Sequence, residues 1–182
     1  MNAFQYSSNN PINVFDPYGL WPTMSGDYVH QRVIYLAIGK HLQRELHLEL
    51  VKGQVFADSK INQSQQLAFQ HAMSNPNQSI ADARKLANDF VRKQFQKAWD
   101  FKKNGCEKKA LFEFSWGLHA LQDSTSPSHH GFQLWADDLG QIEKIYHLTQ
   151  ELKLMDPSAS SELYRVTQDA WGWYNRGYLP SG

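Results

Sequence analysis

After residue 21 the apolar positions of this chain fall at three- and four-residue steps, and before it they fall at none. Val29, Val33, Ile34, Leu36, Ala37, Ile38, Leu42, Leu46 and Leu50 mark out an amphipathic helix over about 27 to 50, for which Gly53 is the expected stop. A shorter helix over about 61 to 74 is expected to end at the SNPN turn. Ser79 with Asp82 three residues on reads as a capping signal. It opens a long helix with its apolar face through Leu86, Phe90, Val91, Phe95 and Trp99, ending near Asn104 and Gly105. Further helices are predicted over 106 to 123, 136 to 154 and 159 to 175, the last two separated by Asp156-Pro157. No segment after residue 21 shows the period-two alternation of a strand. The expected fold is an all-α compact helical bundle, preceded by a non-helical leader over residues 1–20 that is rich in Asn, Ser, Pro and Gly.

A chain of 182 residues suits one domain with a real core, here residues 21–182. Its 18 Lys and Arg balance 18 Asp and Glu, which gives no broad attraction to nucleic acid or an anionic membrane. The one cysteine, Cys106, lies in the polar stretch KNGCEKK without a CxxC partner and is expected to be inert. No run approaches the roughly 18 apolar residues of a membrane span, and the polar start MNAFQYSSNN is not expected to act as a signal peptide. The 8 histidines change the picture, because several fall at chemically useful spacings.

The densest signal is WGLHALQDSTSPSHHGF, residues 116–132. His119 and Asp123 are four apart, so a helix projects both from one face, and the break at Pro127 allows His129 to fold back toward them. His147 and Glu151 repeat the step farther on. A single pair of this kind is ordinarily a surface contact worth about 0.2 to 0.5 kcal/mol. Two pairs plus His129, flanked by Leu118, Leu121, Ile145 and Leu148, are better read as imidazole and carboxylate donors for a hydrolytic metal site.

The ordered series Trp21, His30, Asp58, His71, then His119-x3-Asp123-x5-His129, then His147-x3-Glu151 resembles the zinc-dependent phospholipases C, all-α enzymes with three clustered zinc ions. The likeness spans residues 21–151 of a chain shorter than those enzymes. It implies up to three Zn2+ ions. Asp58, His71, His119 and Asp123 would hold one, His129, His147 and Glu151 a second, and Trp21, His30 and Asp123 a third, with Asp123 bridging two. Asp58 would double as the catalytic base. In that family the terminal Trp binds zinc through its free α-amino nitrogen and carbonyl oxygen, which an internal Trp21 cannot do.

The leader YSSNNPINVFDPYGL resembles the end of the core of Rhs (rearrangement hotspot) proteins, with Asn10, Pro11, Asn13, Asp16, Pro17, Gly19 and Leu20 matching its terminal motif. In those proteins an aspartyl autoprotease activity cuts after the Leu and frees a variable toxin. A cut between Leu20 and Trp21 would release the domain and create the amine that completes its third site. The resemblances together imply an antibacterial toxin. It would be carried by an Rhs core that encapsulates it, secreted by a type VI system into target cells, countered by a cognate immunity protein, and directed at phospholipid membranes.

Two other readings compete. A related family of zinc nucleases, acting on single-stranded nucleic acid, uses almost the same ligand order, with Asp typically standing where Glu151 is. A non-catalytic binding toxin would need zinc at most for structure, and such sites are usually closed by thiolates that are absent from this pattern. His41 and His47 are read as surface or core-edge residues, His130 as secondary to His129, and Trp171, Trp173, Tyr174 and Tyr178 as core aromatics before lipid contacts. The lysines from Lys93 to Lys109 are read as a solvated helix face.

Overall fold

The computed structural model describes residues 28–59, 61–126, 129, 131–135, 158 and 160–177. Five α-helices organise them: α1 Tyr28–Ala37, α2 Arg44–Ala57, α3 Ile80–Lys103, α4 Glu107–Asp123 and α5 Glu162–Arg176. Two 3-10 turns, Gly39–His41 and Gln65–His71, join them. Among the described residues the only sheet-like pairing is an isolated bridge between Ser74 and Leu134, so the fold is all-α there.

The apolar run over 27 to 50 is two helices where one was expected. The chain turns at Gly39, where a Cβ would lie 2.2 Å from His47 Nδ1, so only glycine lets α2 fold back with its histidine against the turn. Both helices bury apolar positions in the same core, which is why the periodicity runs through the break. Gly53 does not stop a helix; it lies inside α2. A Cβ there would stand 2.6 Å from the Phe112 carbonyl oxygen and 2.7 Å from Ser115 Cβ, so the glycine lets α2 and α4 touch backbone to backbone.

Other boundaries follow the local chemistry. Ser79 caps α3 by accepting from the Asp82 N–H at 3.1 Å while its hydroxyl donates to the Asp82 carboxylate at 2.7 Å. The helix ends at Asn104 and Gly105, the latter left-handed at φ 71°. Ser161 caps α5 by accepting from the Tyr164 N–H, and Gly177 ends it in the left-handed region. The expected helix over 61 to 74 is the 3-10 turn Gln65–His71, closed by Ala72 at φ 51°. Leu86 is exposed, because Ala83 and Ala87 take the buried side of its turn, and Leu86 is rotated about 100° from Ala87. The expected helix over 136 to 154 lies outside the described residues, as does the boundary after Leu20.

α3 and α4 pack along their length, with α2 against α4 and α5 against α1 and α4. Phe114 lies at the centre, fully buried among Phe95, Trp171 and Tyr174, with ring centroids 5.0, 5.7 and 4.9 Å away. The aromatic tail thus closes the core as far as Tyr174. Two lysines of the expected solvated face lie over aromatic rings: Lys103 sits 3.4 Å above the Trp99 ring, and half-buried Lys102 4.1 Å above that of Tyr174. No helix among the described residues is long and apolar enough to cross a membrane.

Candidate metal centre

Six of the predicted side chains meet at one end of the α1, α2 and α4 packing. His30 comes from the first turn of α1, Asp58 caps the C-terminus of α2, and His71 ends the second 3-10 turn. His119 and Asp123 project from one face of α4, and His129 returns from the loop beyond it, its N–H bonded to the Ser126 carbonyl at 3.0 Å. His30, His71, His119, Asp123 and His129 are all buried, while the Asp58 side chain is 27% exposed and forms the open side.

Asp123 is the hub. Its Oδ1 lies 3.0 Å from His30 Nε2, and its Oδ2 lies 3.2 Å from His71 Nδ1 and 3.1 Å from His119 Nε2. His129 Nδ1 lies 3.9 Å from the same Oδ2, so one carboxylate oxygen faces one imidazole and the other faces three. Asp58 Oδ1 reaches His119 Nε2 at 3.2 Å and His71 Nδ1 at 3.9 Å. Donor atoms of His30, His119 and Asp123 lie within 4.8 Å of one another, and so do those of Asp58, His71 and His119. His129 is oriented by its Nδ1–H, which donates to the His71 carbonyl.

Burial opposes charge on both His119 and Asp123, and their mutual attraction outweighs it. Asp123, helped by Asp58, holds the His119 imidazole well above its ordinary pKa. His119 and His129 with hydrogen bonds from His119 and His30 hold the Asp123 carboxyl well below its own. The donor set fits a divalent cation on two further observations. Buried His119 Nε2 stands between two carboxylate oxygens, and buried His30 Nδ1 has no hydrogen-bond partner among the described residues. A cation bound there would displace protons from this group.

Comparison of the chain with protein-family models, curated proteins and solved structures finds no match. The case for the site therefore rests on its own geometry. Buried His and Asp groups in it are able to hold a metal ion, with imidazole and carboxylate donors and an open side.

Trp21, His147 and Glu151, with the cleavage residues Asp16 and Leu20, lie outside the described residues, as does His130. His47 does not lie at the surface or core edge; it is 2% exposed, because Gly39 admits its ring. Sequence reasoning missed Gln54, whose Oε1 accepts from His119 Nδ1–H at 2.8 Å, and Gln63, whose Nε2 lies 3.2 Å from His71 Nε2. The available signal for Gln54 was a polar residue on the apolar side of α2, between Leu50 and Ala57.

Proposed function

We propose that this chain is a zinc-dependent phosphodiester hydrolase, a phospholipase C that releases diacylglycerol and a phosphorylated head group from membrane phospholipids. The observation that carries this reading is the convergence of His30, His71 and His119 on Asp123, with Asp58 reaching His119 from the other side, from positions up to 93 apart in sequence, 30 to 123. Helix packing alone has no need to gather one acid and four imidazoles in a buried space with a second acid at its edge, where charge is costly unless it is used or paired.

His71, His119, Asp58 and Asp123 would hold one zinc ion, and His30 with the second oxygen of Asp123 would contribute to another. Zinc held there would supply Lewis acidity to offset phosphoryl charge and lower the pKa of water. Asp58, the more exposed acid of the two, would orient attacking water and take its proton. Buried Asp123 would keep the imidazoles in register, and they in turn hold its carboxyl well below its ordinary pKa.

The delivery half of the proposal rests on residues 10–20. Cleavage after Leu20 would free the Trp21 amine, and α-amino groups, which ordinarily titrate at about 7.7 to 8.0, lose a proton to zinc at little cost near neutral pH. Release, arming of the site and neutralisation by an immunity protein would then form one sequence of events in an Rhs toxin. The test uses the chain beginning at Trp21, with zinc, on phospholipid vesicles. Chelator-sensitive diacylglycerol release is expected, and more slowly from the chain with residues 1–20 attached. Intact vesicles together with chelator-sensitive cutting of single-stranded DNA or RNA would replace the phospholipase with the nuclease.

A further inference from the structure

The hydrogen bonds behind His119 run in one direction. Gln54 is 1% exposed and uses both ends of its amide: Nε2 lies 2.9 Å from the Ser115 carbonyl oxygen and 3.2 Å from Ser115 Oγ, and Oε1 lies 2.8 Å from His119 Nδ1. A carbonyl oxygen only accepts, so Gln54 must turn its NH2 toward Ser115. The Ser115 hydroxyl donates to the Leu50 carbonyl, which leaves its lone pairs for that same NH2. Oε1 is then what faces His119, and since it too only accepts, Nδ1 must carry the proton. Nε2 is left toward Asp58 Oδ1 and Asp123 Oδ2, at 3.2 and 3.1 Å.

From this we infer that Gln54 is a positioning residue that fixes the ring orientation and tautomer of His119 so that Nε2 serves as the metal ligand. Metal-bound histidines commonly donate their second N–H to an oxygen acceptor, and loss of that acceptor weakens metal binding. The fold supplies the reach. Gly53, the residue before Gln54, lets α2 lie so close to α4 that a Cβ would stand 3.0 Å from the Trp116 backbone nitrogen. The inference rests on the metal-centre reading, but it concerns a residue in none of the predicted ligand sets.

The experiment measures zinc affinity by chelator competition and the visible spectrum with saturating cobalt on the full chain. It compares wild type with Gln54→Leu, Gln54→Glu and Ser115→Ala, with metal-free melting temperatures alongside. Gln54→Leu is expected to weaken zinc binding about 10- to 100-fold and to shift the cobalt spectrum. Gln54→Glu restores an acceptor at His119 Nδ1 and is expected to recover most of that affinity. Ser115→Ala keeps the backbone carbonyl, so it is expected to lower the metal-free melting temperature with zinc affinity near wild type. Unchanged affinity and spectrum in Gln54→Leu, or an equal loss in Gln54→Glu, would overturn the inference while wild-type binding upholds the metal centre. Absence of both metals from the wild-type chain would overturn the two together.

Discussion

His119 and His47 are buried to nearly the same degree, at 1% and 2% exposed, yet their surroundings move their pKa values in opposite directions. Burial pushes His47 down to about 4, so it is neutral at pH 7. Burial pushes His119 the same way, but Asp123 and Asp58 overcome it and raise that ring well above its ordinary pKa. His47 fills space behind Gly39, with the Tyr35 ring edge-on at 5.6 Å. His119 stands between two carboxylates and a glutamine. A buried histidine is thus ordinary by itself, and carboxylates gathered around one are what point to chemistry.

The largest expected effect breaks that contrast at its hub. Asp123→Asn keeps the shape and removes the charge that faces His30, His71 and His119; zinc binding should be lost and the metal-free fold weakened by about 3 to 5 kcal/mol, read by denaturant unfolding. Asp58→Asn should leave folding nearly intact, because the side chain is 27% exposed, but should lower hydrolysis by about 10²- to 10⁴-fold in a steady-state assay.

The two histidines also answer pH in opposite senses. The folded pKa of His47, about 4, lies below its unfolded value of about 6.5, so the unfolded chain binds the extra proton in that window. His47 should therefore cost about 3 kcal/mol of stability as pH falls from 6.5 to 4, and a His47→Gln variant should flatten that part of the unfolding profile. The folded pKa of His119 is raised, so without metal its contribution is full below about 6.5 and is lost as pH rises through the folded value. Stability profiles of the metal-free protein should show both slopes, and zinc should abolish only the alkaline one. Ser79→Ala, which touches neither histidine's partners, calibrates these effects: loss of the α3 cap should cost about 1 kcal/mol, with no change in zinc affinity.

How much of this was legible depended on how local the cause was. α3 and α4 were readable almost to their ends, because Ser79, Asn104 and Gly105 act within a turn of the boundaries they set. The break between α1 and α2 was not, since it depends on His47 returning to Gly39 from the next helix. His119, Asp123 and His129 could be grouped by helical spacing and a proline, whereas His30, Asp58 and His71 have no regular spacing and were linked to them only by resemblance. Gln54 was hidden because its role exists only across the α2–α4 contact that Gly53 permits.

The most direct test of the metal centre is a zinc titration of the metal-free chain by chelator competition, with Asp123→Asn and His47→Gln measured beside it. The account predicts tight zinc binding by the wild type, equal binding by His47→Gln, and none by Asp123→Asn. No binding by the wild type, or binding that survives in Asp123→Asn, would contradict it.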